Sequence, residues 1–414
     1  MNKVIVAGGG AGGMAAAYAA ASGGCDVTLL ERNEKLGKKI YITGKGRCNF
    51  TNAAEAQDFL DGVFRGRSFA YSSIYSFDPF MLIDLIESTG IQTVTERGRR
   101  AFPLSGKASD ITKAFTKLLD QNQVKVSLNT YVRDIITSNG RVTGVKTDNG
   151  IIEADYAVLS CGGMSYPSTG SDGNGYRLAE KLGHSIDRTS PALVSLQCRE
   201  AWAGELSGLG LKNVRVSLYE DEREIISQQG EVLFTHKGVS GPCILTMSCF
   251  ADDFEKHKYS IEIDLKPALS EAELEARLLR DFEEQKNRMF RSSLDRLMPK
   301  SLAAAVVKIS GIYPDKKVNQ VTAAERKQTV KLMKALRLSV SGKGGYDEAV
   351  ITDGGVNLSQ INPSDMQSRI VKNLYFSGEM INLHGFTGGY NLQLAFSAGM
   401  LAGRSIAERT DFAE

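Results

Sequence analysis

An apolar run, Val4 to Ala7, leads straight into Gly8, Gly10 and Gly13, and an alanine-rich stretch follows. This G-x-G-x-x-G spacing between a strand-like and a helix-like segment constrains the fold more than any other feature of the chain. Gly8 permits the tight turn, Gly10 lets a pyrophosphate approach the backbone, and Gly13 lets helix and strand pack closely. The helix start, through Ala11 and Gly12, offers unpaired N–H groups and a partial positive charge to phosphates. A second strand ends at Leu29, Leu30 and Glu31, and Glu31 lies 18 residues beyond Gly13. That is close to the spacing at which a carboxylate accepts the hydroxyls of a ribose, so the segment reads as a dinucleotide-binding turn.

The chain has 414 residues, which implies two or three domains. Charge is nearly balanced, with 50 Lys and Arg against 48 Asp and Glu, and no basic tract marks a nucleic-acid partner. The six cysteines include no C-x-x-C pair and there are only four histidines, a pattern against structural zinc or a disulfide scaffold. The cofactor-type strand starts at once, leaving no room for a signal peptide, and no apolar run approaches a membrane span. A cytoplasmic protein is the expectation.

Residues 1 to about 190 alternate strand-like and helix-like segments. Val124–Leu128, Arg141–Thr147 and Tyr156–Ser160 read as strands, with Asn139-Gly140 and Asn149-Gly150 as turns. Asp78 before Pro79 marks a helix start running to Ser88. Past Pro191 the alternation in Val214–Leu218 and Ile261–Leu265 has period two, so this part is β-rich, a small sheet or barrel. Ser270 with Glu273, and Thr322 with Glu325, are capping-box pairs, and Leu274, Leu278 and Phe282 share a helical face. The glycine-bearing tail then returns to the first domain. The expected layout is an α/β, Rossmann-like domain in two pieces (1–190 and 350–414), an inserted barrel-like domain (191–269 and 337–349) and a small helical domain (270–336).

Further glycine clusters add to the turn. T-G-K-G-R-C-N-F-T-N, Thr43 to Asn52, suits a loop lying along a cofactor, with Arg47 for phosphate charge and Asn49 for hydrogen bonds; an ordinary capped turn is the other reading. V-L-S-C-G-G, Val158 to Gly163, ends a strand in paired glycines without the spacing of a second fingerprint, and Gly162 is placed against the adenosine half of the first cofactor. Gly378-Glu379 and Gly388-Gly389-Tyr390-Asn391 lie before a helix whose N-terminal amides can come close to a bound ring. A long cofactor held at both ends accounts for glycine clusters at both termini.

These segments resemble the family of FAD-binding oxidoreductases that includes aminoacetone oxidase and a flavoprotein of bacterial bile-acid metabolism. The resemblance rests on G-K-K-I-Y-I-T-G-K-G-R-C-N-F-T-N, G-R-R-A-F-P-L-S-G-K-A-S-D, C-G-G-M-S-Y-P-S-T-G-S-D-G-N-G-Y, V-L-F-T-H-K-G-V-S-G-P, A-V-I-T-D-G-G-V and Y-F-S-G-E…T-G-G-Y-N-L-Q, in that order along nearly the whole chain. It implies FAD as the tightly held cofactor. The glycine turn, Glu31 and Arg32 would hold the adenosine half, while Lys39, Gly46, Arg47, Cys48, Asn49, Gly378, Glu379 and Gly388 to Asn391 would lie along the pyrophosphate and flavin. Where the family often has L-D-V-D-G, this chain has I-N-L-H-G, Ile381 to Gly385. His384 is therefore the leading candidate for proton transfer or substrate contact. His236, in T-H-K-G-V-S-G-P, and Cys48 are further candidates, with Arg99 and Tyr166 behind them.

The expected activity is hydride transfer between flavin and a small organic substrate. It would be either reduction of an activated double bond with NAD(P)H or oxidation of an amine or alcohol with oxygen. Nicotinamide, if used, would bind transiently, since no second fingerprint is present. An RNA-modifying flavoprotein and a flavin sensor without turnover are the alternatives.

Overall fold

Strand β1 (Lys3–Ala7) is the centre of a five-stranded sheet. Its neighbours are β2 (Asp26–Leu30) on one side and the strand Tyr156–Leu159 on the other, with Lys125–Ser127 and Leu374–Phe376 at the edges, all parallel. Val4 to Ala7 are buried, as a parallel sheet covered on both faces requires. The computed structural model describes residues 1–409. These form two compact units, one made of Met1–Ala192 with the stretch from Tyr346 onward and the other of Leu193–Gly345.

In the first unit, helix α1 (Ala11–Ser22) packs on the C-terminal helix Tyr390–Glu408. A Cβ on Gly399 would stand 2.1 Å from the Gly12 carbonyl oxygen, and one on Gly403 would stand 2.4 Å from that of Ala16. The alanine and glycine runs at both ends of the chain thus serve backbone-to-backbone contact, which ties the tail to the opening βαβ segment. Asp78 caps the helix Pro79–Ser88 by accepting the Met81 N–H at 2.8 Å. Asn139 and Gly140 both have positive φ, which matches the twist of a tight hairpin between Val132–Ser138 and Arg141–Thr147.

The second unit is built on a closed barrel. Around it run Leu196–Cys198, Gly238–Ser240, Arg223–Thr235, Gly210–Glu220, Tyr259–Asp264 and Leu336–Lys343, antiparallel throughout. Both capping boxes form, starting the helices Glu271–Glu284 and Ala323–Lys334. These helices are not a separate body. Leu274, Leu278 and Phe282 share one hydrophobic cluster with Val216, Ile261 and Ile263 of the barrel, because an amphipathic helix pair this short buries its apolar face against the nearest sheet. Among the described residues, no helix is long and apolar enough to cross a membrane.

Candidate functional site

The turn after β1 opens onto a cavity of about 380 Å³ lined entirely by the first unit. Gly8, at φ +110°, accommodates no side chain, since a Cβ there would meet the Ser160 carbonyl oxygen at 2.3 Å. Gly13 is closed in the same way by the Gly8 oxygen, at 1.8 Å. Gly10 is the reverse case: a Cβ on it would have nothing within 4 Å, because it faces the cavity that Gly8, Gly10, Ala11 and Gly12 line. Helix α1 starts there with no side-chain cap, so its first N–H groups await an external acceptor.

Glu31 is buried beside the turn. One of its oxygens accepts the Gly9 N–H at 2.8 Å, and the other accepts the Asn33 N–H at 2.8 Å and the Asn33 side-chain amide at 2.7 Å. A carboxylate has about four acceptor sites, so capacity remains for a ligand hydroxyl. Arg32 lines the cavity, pairs with Asp172 at 2.6 Å and lies over the Tyr131 ring at 4.8 Å. Lys39 reaches across to Glu379 at 2.6 Å and also bonds Ser165. Ser165 Oγ and the Thr352 N–H in turn donate to the other Glu379 oxygen, at 2.7 and 2.9 Å. Burial alone would push the Glu379 carboxyl up, but the Lys39 charge and these hydrogen bonds outweigh it and hold the carboxyl below its ordinary value.

The opposite wall comes from the far end of the sequence. Gly378, Glu379, Gly388, Gly389 and Asn391 line the same cavity as the N-terminal turn. Gly389, at φ +100°, starts the last helix, where a Cβ would strike the Thr51 backbone at 2.3 Å. Asn391 braces the loop before it, accepting from the Gly385 N–H at 2.8 Å and donating to the Gly385 oxygen at 3.0 Å. Asn49 and Gly162 are also in the wall, and Asn49 Oδ1 is buried with no partner.

His384 lines this wall while only 1% exposed. Its Nε2 lies 3.0 Å from Asp353 Oδ1, and its Nδ1 is buried without a hydrogen-bond partner. Arg65 grips the same carboxylate through Nε at 3.1 Å and Nη2 at 2.9 Å. Burial opposes ionisation of Asp353, yet the hydrogen bonds from His384 and Arg65 dominate and hold it well below the usual carboxylate range. Arg65 falls in no motif, and Asp353 lies in the A-V-I-T-D-G-G-V segment with no role assigned to it from the sequence. The visible signal is a single carboxylate inside the wholly buried strand Ile351–Val356. Asn33, Thr130, Tyr131 and Val132 also line the cavity and belong to no motif, while Asn174 lines it from the C-G-G-M-S-Y-P-S-T-G-S-D-G-N-G-Y segment.

Several expected residues lie elsewhere. Gly13 packs behind the turn, and Gly46 serves a loop contact, its oxygen accepting the Ala108 N–H at 2.8 Å. Arg47 is turned to the surface, pairing with Glu96 at 2.5 Å and lying over Phe102 at 4.3 Å, so its charge is already matched. Tyr390 packs on Phe59 at 4.9 Å between centroids. Cys48 does not fit a redox or catalytic thiol: it is wholly buried outside the cavity wall, and burial pushes its thiol up to about 12, leaving no thiolate at neutral pH. His236 sits exposed between two barrel strands of the second unit and is not part of this wall. Arg99 is exposed and paired with Asp58 at 2.8 Å, and Tyr166 holds a left-handed turn at φ +51°.

Comparison with known proteins gives this geometry a lineage. The Rossmann-domain model of HI0933-like proteins matches residues 2–405. The chain is 29% identical to a 3-dehydro-bile acid delta(4,6)-reductase of Clostridium scindens, over 94% of each protein. It is 28% identical to a ribosomal RNA dihydrouridine synthase of Haemophilus influenzae, over 93% of this chain and 94% of that one. Among solved structures, a 3-ketosteroid-delta4-(5alpha)-dehydrogenase from Rhodococcus jostii superposes with a TM-score of 0.54 at 16% identity, over 98% of this chain and 97% of the other, which is a likeness of fold. The chain belongs to the HI0933-like family of FAD-binding, Rossmann-fold oxidoreductases.

Proposed function

We propose that the protein is an FAD-dependent reductase that adds hydrogen across a carbon–carbon double bond conjugated to a carbonyl in a small, largely apolar molecule. The observation that carries this reading is a buried histidine with an unpartnered ring nitrogen in the wall of the cavity that the open dinucleotide turn also lines.

The residues present fit FAD. The side-chain-free face of Gly10, the uncapped start of α1, the spare acceptor capacity of Glu31 and the orphaned Asn49 Oδ1 are all unmet binding groups in one cavity. In this reading Gly10 to Gly12 hold the pyrophosphate, Glu31 the ribose, and Gly388, Gly389 and Asn391 the flavin end. Bound there, FAD supplies the two-electron chemistry that no side chain can. The Lys39–Glu379 pair keeps the wall rigid beside it. His384 handles the proton: addition of hydrogen to a conjugated double bond needs a proton at the carbon next to the carbonyl, and an imidazole nitrogen can carry and release one. Val350, Ile351, Leu383 and Phe386 share the wall with His384 and exclude water.

The relatives support the direction of reaction. A bile-acid delta(4,6)-reductase and a dihydrouridine synthase are both named for saturating ring double bonds. The second name also favours an RNA substrate as the rival reading, since a uracil ring has the same conjugated bond. NAD(P)H is the proposed electron donor.

Anaerobic photoreduction followed by a panel of acceptors tests the proposal. Reoxidation by a conjugated steroid enone, with one equivalent of saturated product, is the expected result. Reoxidation by a ribosomal RNA transcript alone transfers the activity to RNA. Reduction of the resting flavin by an amine or alcohol, with reoxidation only by oxygen, refutes the reductase reading.

A further inference from the structure

Pairing between the short strands Val63–Arg65 and His384–Gly385 puts Arg65 opposite His384. Asp353, on the strand Ile351–Val356, stands between the two side chains. Its Oδ1 receives the Arg65 Nε–H at 3.1 Å and the Gly354 N–H at 3.0 Å, and its Oδ2 receives Arg65 Nη2 at 2.9 Å. Guanidinium and backbone amide can only donate, so this carboxylate is an ionised, acceptor-only group. The 3.0 Å contact to His384 Nε2 therefore has one polarity, with the imidazole N–H donating.

A neutral imidazole carries one N–H. With the proton on Nε2, Nδ1 is left as a lone pair, and that nitrogen is the one buried with no partner. Native folds rarely leave such an atom unmatched without a use for it. The ring is further fixed by Phe64, whose centroid lies 5.3 Å away. The charged groups facing the imidazole are Asp353 directly and Arg65 behind it.

We propose that Asp353, clamped by Arg65, is a positioning residue that holds His384 in its Nε2–H form and dedicates Nδ1 to exchanging a proton with the substrate. This rests on the reductase reading and adds to it the group that sets the tautomer of the proton donor. The step is a proton transfer: the Nδ1–H bond of the imidazolium breaks as a C–H bond forms next to the substrate carbonyl, and the electron pair returns to Nδ1. The other hydrogen would be supplied as hydride by FAD held at this wall in its reduced form, with NAD(P)H as the proposed electron source. Asp353 stays ionised throughout and stabilises the imidazolium before transfer, as a buried carboxylate does for a catalytic histidine.

The test is imidazole ¹⁵N spectroscopy of the FAD-loaded protein, in which four histidines are few enough to assign with a His384→Gln control. His384 should show a protonated Nε2 and a bare Nδ1, and Asp353→Asn should remove that preference. A neutral Nδ1–H tautomer with a bare Nε2 in the wild type, or an unchanged spectrum in Asp353→Asn, overturns the proposal. In single-turnover reoxidation by an enone, Asp353→Asn should be slower by about 10²-fold or more with its FAD content unchanged, and Arg65→Gln should fall between it and wild type. Wild-type rates in Asp353→Asn also overturn it. If no conjugated acceptor oxidises even the wild type, the reductase reading fails, and the ¹⁵N spectra still decide the anchoring by themselves.

Discussion

Replacing Gly10 by valine separates binding from folding at the dinucleotide turn. Gly10 has φ −79° and ψ −170°, an extended backbone that a β-branched residue adopts without strain. Its missing Cβ would meet nothing within 4 Å. The flavin-free fold should therefore change by no more than about 1 kcal/mol, the scale of glycine substitutions at permissive sites. The valine side chain would stand in the cavity where phosphates approach the start of α1. If two charge-assisted N–H bonds are lost, at about 1.5–3 kcal/mol each, FAD binding weakens by about 3–6 kcal/mol, or roughly 10² to 10⁴ in Kd. Gly13→Ala is the control with the opposite signature. Its new Cβ would lie 1.8 Å from the Gly8 oxygen, a clash that only backbone movement relieves, at a cost of about 1–3 kcal/mol or more in the fold itself. Flavin-to-protein absorbance ratios after gel filtration, with urea unfolding of the stripped proteins, read both quantities. Gly10→Val that keeps its FAD, or that loses as much stability as Gly13→Ala, refutes the assignment of the turn.

Two more outcomes follow from the cavity wall. Lys39→Met leaves Glu379 without its cation, and because both side chains are about one-fifth exposed the loss should be about 1–3 kcal/mol, between surface and buried pairs. Glu379 titrates below its ordinary value, so its contribution is present above the unfolded carboxylate pKa and is lost as pH falls through the folded one. The stability gap between wild type and Lys39→Met, measured by urea unfolding of the flavin-free forms, should thus hold down to about pH 4.3, the ordinary Glu value, and shrink as the pH falls below it; a gap that stays constant below that pH contradicts the pairing. Cys48, with its thiol pushed up to about 12, should resist iodoacetamide in the native protein at mildly alkaline pH, and Cys48→Ala should keep wild-type turnover. Rapid labelling of Cys48 by mass spectrometry, or lost turnover, restores it as a functional thiol.

How much of this was readable along the chain follows the range of the forces involved. The glycine turn, the Asp78 cap, the two capping boxes and the Asn139-Gly140 hairpin are local: a few neighbouring residues set the backbone, and each formed where its pattern placed it. Pattern also marked Gly388 to Asn391 as a second glycine site, though not what it would face. Arg47 and Cys48 show the limit. Both lie in a loop whose composition suits a ligand, and the turn of that loop sends one side chain to Glu96 on the surface and the other into the core.

The anchoring of His384 depends on three residues far apart in sequence, Arg65, Asp353 and His384. No spacing rule connects them, because they meet only through strand pairing and an ion pair across separate segments. The opening βαβ signature was sufficient to decide what class of cofactor a chain like this holds, since phosphate recognition uses backbone amides placed by local turns. What sits beside that cofactor, and which nitrogen of a buried histidine is left free, was decided by tertiary packing, since proton placement depends on neighbours that only the folded chain brings within hydrogen-bond reach.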